Sequence, residues 1–237
     1  MLASELNTEE EVETLERLFA GVGAPVLDLG CGHGRHLGPL RRAGFPVVGL
    51  DYSMELLAQV SGRRATRLVR GDMRRLPFAD GSLGGAYLLF NSFGYFTEEQ
   101  NFGVLRELAR VMQPGARLVA DLPVRAGMKQ AVADMPPTER HQRDVAIYES
   151  WSYDEDTMRL RARGNWDVAG REQSWELSIR LYTPAEFQRL LRRAGFSGGV
   201  EMRPLEEFRL LDTGPAPHDF RSAAWRRATN AAVLAAR

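Results

Sequence analysis

Cysteine is nearly absent: Cys31 stands alone in 237 residues. That excludes an internal disulfide and fits a reducing compartment. Lysine is equally scarce, with Lys129 the only one among 31 basic residues. Acidic residues also number 31, so neither sign of charge is in excess. Neutrality gives no electrostatic reason to expect nucleic acid or an anionic membrane as the main partner. The pairs Arg41-Arg42, Arg63-Arg64, Arg74-Arg75 and Arg192-Arg193 lack the interleaved aromatics of a single-strand binding groove and read as solvated helix faces. No run approaches 18 consecutive apolar residues, so no membrane span is expected. Met1 to Asn7 shows no basic stretch leading into an apolar one, so no signal peptide is read. Four histidines and the one cysteine are scattered without metal-ligand spacing. The expectation is a cytoplasmic chain with no metal and no membrane contact.

What is present is an ordinary globular composition, 44% apolar and 26% charged, enough to bury one core across residues 1–237. Thr8-Glu9-Glu10-Glu11 reads as a capping box opening a helix with Val12, Leu15, Leu18 and Phe19 at helical spacing. Val26–Leu29, Pro46–Leu50, Arg67–Arg70, Leu83–Phe90 and Arg117–Leu122 read as strands, with helices between them. Strands alternating with helices predict βαβ units and a mostly parallel sheet with helices on both faces. Gly38-Pro39 falls where the first crossover helix should start, so a kink or a shortened start is expected there.

The rhythm breaks after Asp121. Residues 124–182 predict an inserted helix and then an antiparallel meander over Val145–Tyr153, Met158–Arg163 and Trp175–Tyr182. Its Trp151, Tyr153, Trp166 and Trp175 suggest a small apolar face, with at least one Trp expected in a substrate pocket. The insert as a whole is expected to serve as a lid. Thr183-Pro184-Ala185-Glu186 then caps a helix that stops at Gly195. Val200–Arg203 and Ala231–Ala236 are candidate last strands.

The chemistry concentrates in Val26-Leu27-Asp28-Leu29-Gly30-Cys31-Gly32-His33-Gly34-Arg35. A buried strand runs into a glycine loop, where the backbone turns sharply and approaches a ligand without a Cβ in the way. A helix N-terminus just beyond would offer free N–H donors. A dinucleotide fingerprint wants glycine or alanine three residues after Gly32, to admit a pyrophosphate. Arg35 stands there instead, and Asp28 would repel a pyrophosphate while suiting an ammonium. Asp51, 21 residues after Gly30, can accept from both ribose hydroxyls, a role that does not by itself separate one nucleotide cofactor from another. Asp72-Met73 offers a carboxylate for an adenine amino group and a backbone N–H for a ring nitrogen.

Five pieces occur in order: Asp28 through His36 with its Gly-Arg-His, Gly49-Leu-Asp51-Tyr52-Ser53, Gly71-Asp72-Met73-Arg74, Asn91-Ser-Phe-Gly-Tyr-Phe96 and Pro114-Gly115. Together they resemble class I S-adenosylmethionine-dependent methyltransferases, a subgroup with late Arg180-Leu-Tyr-Thr183 and Ala194-Gly-Phe196 in particular. The likeness covers about Glu9 to Phe196. The stretch Asp212-Thr-Gly-Pro-Ala-Pro217 lies in a region that matches poorly, as does Ala116 where a second glycine is usual.

The resemblance implies a Rossmann-like, seven-stranded sheet with its last strand antiparallel, and S-adenosyl-L-methionine as cofactor with S-adenosyl-L-homocysteine as product. It assigns the methionine part to Asp28, Gly30, Cys31 and Gly32, the ribose to Asp51 with Tyr52 beside it, and adenine to Asp72 and Met73. Phe90 and Asn91 would face the amino group and the methyl. Tyr95, Tyr182 and Asn91 are candidates to assist transfer, with Asp121, His33 and His36 behind them. The acceptor is expected to be a small molecule and the chain a monomer or homodimer. Alternatives are an RNA or protein methyltransferase, a nicotinamide-dependent oxidoreductase and a non-catalytic sulfonium-binding protein.

Overall fold

The computed structural model describes residues 8–62, 67–133, 135–142, 145–204 and 230–237. The Arg63-Arg64 pair, Met1 to Asn7 and the Asp212–Pro217 stretch lie outside the described residues. Among the described residues eleven strands and six helices follow one another: α1 (Thr8–Leu18), β1 (Val26–Leu29), α2 (Leu37–Arg42), β2 (Val47–Asp51), α3 (Met54–Leu57), β3 (Arg67–Arg70), β4 (Leu83–Leu88), α4 (Glu98–Val111) and β5 (Met112–Pro123) build the first part. Then come α5 (Arg125–Ala133), β6 (Thr138–Gln142), β7 (Val145–Asp154), β8 (Arg159–Val168), β9 (Arg171–Arg180), α6 (Pro184–Ala194), β10 (Val200–Pro204) and β11 (Asn230–Ala236).

The main sheet has seven strands in the order β10-β11-β5-β4-β1-β2-β3. Strands β1 to β5 pair in parallel, whereas β11 pairs antiparallel with both β5 and β10. The expected seven-stranded, mostly parallel sheet is therefore observed, with β11 as the antiparallel last strand. Alternate residues feed two cores. Leu27, Leu29, Leu50, Ala86 and Leu88 face α4 and α6, while Val26, Val47, Tyr87 and Val119 face α1 and α2. Strand order reverses between β1 and β4, and at such a switch point the crossovers diverge and leave a crevice at the strand C-termini.

Helix α4 begins with Thr97 and α6 with Thr183, each in a complete capping box, and Gly195 ends α6 at φ 112°. Helix α2 is only six residues long, as Pro39 foretold; Pro39 sits in its first turn, where its missing N–H costs no helical bond.

The insert forms a four-stranded antiparallel sheet, β6-β7-β8-β9. Its strands run longer than the sequence pattern suggests, and β6 is an additional strand before the first expected one at Val145. Along β8, Leu160, Ala162 and Gly164 are buried while Arg161, Arg163 and Asn165 are exposed. The buried face takes Met128 and Val132 of α5. Val124 and Tyr182 pair across the base of the insert, where its two ends lie side by side. Among the described residues no helix is long and apolar enough to cross a membrane.

Candidate functional site

A cavity of about 650 Å³ opens at the C-terminal ends of β1, β2 and β4. Its floor is set by register: Asp28 of β1 stands opposite Tyr87 of β4 and Gly49 of β2. Asp28 is 4% exposed, and its Oδ2 has no hydrogen-bond partner. Burial pushes its carboxyl up to about 7, against the pull of the Tyr87 hydroxyl and Arg35 and with a further push from Asp51. Burial and the same two carboxylates hold the Cys31 thiol protonated, so it is no nucleophile.

The glycine loop is held from within. Gly30 and Cys31 both donate to the Leu50 carbonyl, at 2.8 and 3.1 Å, and Gly34 donates to Cys31 at 2.8 Å. The free helix-start donors expected here are therefore not what the loop offers, because α2 begins only at Leu37. Instead Gly32 N–H donates to Asp51 Oδ2 at 2.8 Å, and Ser53 N–H to Asp51 Oδ1 at 2.8 Å. Each Asp51 oxygen thus accepts one backbone bond, and Asp51 borders the cavity. At Gly30, φ 81°, a Cβ would meet the Ser92 hydroxyl at 2.9 Å.

Farther along, Asp72 accepts from Arg74 through both carboxylate oxygens, which holds its carboxyl below the usual range. Arg74 also lies 4.6 Å from the Phe96 ring centroid. On the other flank, Phe90 and Asn91 sit at φ 59° and 60°, a left-handed pair that turns the chain sharply after β4. Asp121, fully buried, accepts from Phe90 N–H at 3.3 Å.

Residues 26–115 match the family described as "Methyltransferase domain". Residues 26–115 are thus similar to methyltransferase domains. A demethylmenaquinone methyltransferase of Beutenbergia cavernae is 40% identical over 107 residues, 45% of this chain and 43% of that protein. The chain thus spans less than half the length of that relative. Among solved structures, the CcbJ methyltransferase of Streptomyces caelestis superposes with a TM-score of 0.74 at 19% identity, over 97% of this chain and 89% of that one. The sugar N-methyltransferase KedS8 of a Streptoalloteichus species gives 0.67 at 19% identity, covering 100% and 88%. At such identities the structures speak for the fold.

Of the residues expected from sequence, the cavity gathers Asp28, Gly30, Cys31, Gly32, Asp51, Tyr52, Asp72, Met73, Phe90, Tyr95 and His33. Two expected residues fall outside it. Asn91 does not border the cavity, because the turn at Phe90-Asn91 carries it past the rim. Tyr182 lies in the core, accepting from Asn101 at 3.1 Å and reaching Glu98 at 3.2 Å, and burial raises its hydroxyl far from any role as a base. None of Trp151, Tyr153, Trp166 and Trp175 borders the cavity either: Trp151 and Trp175 meet edge to face at 6.2 Å on the insert's own sheet.

The insert reaches the cavity indirectly, by gripping its wall. Arg180 N–H donates to Gly94 O at 2.8 Å. A Cβ on Gly94, φ 102°, would stand 2.7 Å from the Arg180 carbonyl. Gly94→Ala should therefore cost about 2–3 kcal/mol in urea denaturation, from the left-handed strain plus an overlap with backbone that cannot yield. A loss below 0.5 kcal/mol, on the order of a neutral surface change, would show the wall to be pliable.

Residues missed from sequence are Arg35, Glu11, Ser92 and Tyr87, whereas His36, named there as a lesser candidate, also borders the cavity. Glu11, 2% exposed, accepts from His36 at 2.9 Å and pairs with Arg35 at 2.5 Å. Burial works to raise its carboxyl, but His36 and Arg35 outweigh it and the net shift is downward. The capping-box pattern concealed this role. Among the described residues no three His, Cys, Asp or Glu side chains converge as a metal site.

Proposed function

We propose that the chain binds S-adenosyl-L-methionine in this cavity and transfers its methyl to a small-molecule acceptor, leaving S-adenosyl-L-homocysteine. The observation that carries the reading is the buried, unpartnered Oδ2 of Asp28 on the cavity floor. A buried carboxylate oxygen without a partner costs a few kcal/mol, which an incoming ammonium offsets. A pyrophosphate there would add negative charge against Asp28 and Asp51, which argues against a nicotinamide dinucleotide.

The remaining lining fits the rest of the cofactor. Asp51, fixed by two backbone N–H groups, would take the ribose hydroxyls, with Tyr52 exposed at the rim. Asp72 and the Met73 N–H would take adenine. Gly30, Cys31 and Gly32 let the backbone come close, and Phe90 would border the methyl. The bound sulfonium supplies an electrophilic methyl carbon, so transfer by direct displacement calls chiefly for alignment and exclusion of water. Tyr95 and Phe96 wall the cavity, Tyr95 41% exposed toward the open side from which an acceptor enters. The insert orients that wall through Arg159 and Arg180.

A relative named for demethylmenaquinone and a neighbour named for a sugar both support a small acceptor over RNA or protein. Charge neutrality supports the same choice, and the lone cysteine fits a reducing, cytoplasmic compartment; a monomer or homodimer is the assembly we propose. Calorimetry tests the reading: S-adenosylhomocysteine should bind while NAD and NADP do not. Asp51→Ala should weaken that binding by about 1.5–3 kcal/mol, the value of hydrogen bonds to a charged group. NADH binding without homocysteine-nucleoside binding would overturn it.

A further inference from the structure

Of the arginine pairs in the sequence, only Arg74 among the described residues borders the cavity. Its side chain reaches in two directions. The fork holds Asp72: Nε donates to both carboxylate oxygens at 3.0 Å and Nη2 to Oδ2 at 2.6 Å, while the Arg74 backbone N–H donates to Oδ1 at 2.9 Å. A carboxylate offers about four acceptor positions, so these three donors leave about one for a ligand. The guanidinium Cζ lies 4.6 Å from the Phe96 ring centroid, within reach of a cation–π attraction.

Phe96 is itself pinned. Asn101 donates to its carbonyl at 3.0 Å and accepts from its N–H at 3.2 Å, and Arg159 donates to the same carbonyl at 3.0 Å. Arg159 is anchored in turn on Ser178 of the insert, through Oγ at 2.7 Å and the carbonyl at 2.8 Å. A continuous run of contacts thus leads from Asp72, on the loop after β3, through Arg74 and Phe96 to β9. Its weak member is the Asp72–Arg74 pair, whose side chains are 31% and 41% exposed. Water screens a pair that open, and its attraction rises when a ligand covers it and drives the water out.

We propose that Arg74 is a clasp between two walls of the cavity: a purine amino group seated on the remaining position of Asp72 covers the ion pair, tightens it and so fixes Phe96 with Tyr95 beside it. This rests on the cofactor reading above. Arg74 is a positioning residue, because it acts on the acceptor side through Phe96. The coupling is reciprocal, so a wall that is held also holds the base more tightly.

Hydrogen exchange of the full chain, read over Phe93 to Thr97, tests the clasp. Saturating S-adenosylhomocysteine should slow exchange there about tenfold in the unaltered protein and less than about twofold in Arg74→Met. The two proteins without ligand should exchange within about twofold of each other, because the exposed pair contributes little before it is covered. Arg74→Met should also weaken S-adenosylhomocysteine about threefold to tenfold. Phe96→Leu should reproduce both losses, and the double variant should be no worse than either single one, since members of one path are non-additive. S-inosylhomocysteine, whose base carries an oxygen in place of the amino group, should at saturation protect the segment less. Full protection in Arg74→Met, additive losses in the double variant or equal protection by both ligands overturns the proposal. So does exchange that rises equally in the free and bound states of Arg74→Met, the mark of a merely structural contact. If the unaltered protein binds S-adenosylhomocysteine without protecting the segment, the clasp fails and the cofactor reading stands; if it binds none, both fail.

Discussion

Asp28→Asn should make the ligand-free protein more stable at pH 8 while removing measurable S-adenosylhomocysteine binding. The Asp28 carboxyl titrates near 7 in the folded chain against an ordinary value of 3.8. The folded state therefore holds this proton more tightly than the unfolded state does. Stability from that proton is complete below about pH 4, falls as pH rises toward 7 and is gone above it. A shift of about three units corresponds to about 4 kcal/mol at most. Asparagine keeps the shape without the charge, so a gain of about 2–4 kcal/mol is expected at pH 8 and almost none at pH 4. Urea denaturation at both pH values measures it, and an equal change at both would refute the account. Tyr87, Arg35, Asp51 and Cys31 are the groups that face Asp28, and they stay in place. For the unaltered protein, cofactor affinity should climb as pH rises from 6 to 8, because an ammonium needs the ionised acid.

Arg159→Met should cost about 3 kcal/mol and release the cavity wall, since it strips several carbonyls of a charged donor at once. Arg159 donates to Phe96 O at 3.0 Å, Gly94 O at 3.2 Å, Tyr95 O at 3.2 Å and Ser178 O at 2.8 Å. Its guanidinium is thus balanced by carbonyl dipoles, and burial lowers its pKa. Methionine keeps the stem but removes the charged donor: Gly94 O and Phe96 O keep only the bonds from Arg180 N–H and Asn101, and Tyr95 O loses the bond from Arg159. Hydrogen exchange should accelerate in the segment from Phe93 to Thr97 and leave β1 and β4 protected. Lysine should rescue little, because one ammonium cannot match a planar fork spread over three successive carbonyls. Unchanged protection of Phe93 to Thr97 would show that the wall holds itself.

The main sheet was legible because β1, β2 and β4 are apolar runs beside glycine or proline, whereas β3, Arg67-Leu68-Val69-Arg70, was legible mainly by its place in the alternation. Both capping boxes at Thr97 and Thr183 could be read, as could the stop at Gly195, since each rests on contacts within one turn. The insert's outline was legible too, but β6 was not: Thr138-Glu139-Arg140-His141-Gln142 is polar throughout and takes strand form by pairing with β7. The cavity-lining residues on the loops after β1, β2 and β3 followed from motif order. Asn91 and Tyr182 were misplaced for a different reason. A left-handed pair of non-glycine residues gives no sequence signal, and Tyr182 is held by Asn101, 81 residues away. Glu11 was hidden because its local pattern already had an explanation, whereas Arg35 entered only as an obstacle to a dinucleotide. Long-range ion pairs between α1 and the glycine loop become visible only once the layers are stacked.

The junction at Val124 and Tyr182 carries a wider consequence. The chain departs from the sheet and returns to it through neighbouring residues, with Arg125 N–H donating to the Tyr182 carbonyl at 3.2 Å and Arg125 pairing with Glu186 across the gap. Whatever hangs between those two points presents the parent sheet with the same pair of ends. Doubling the length of a hanging segment adds only about 0.6 kcal/mol of closure entropy. The insert is therefore a cassette. Mutation and recombination can lengthen, trim or exchange it while the seven-stranded sheet and its cavity stay as they are, at little cost to the fold.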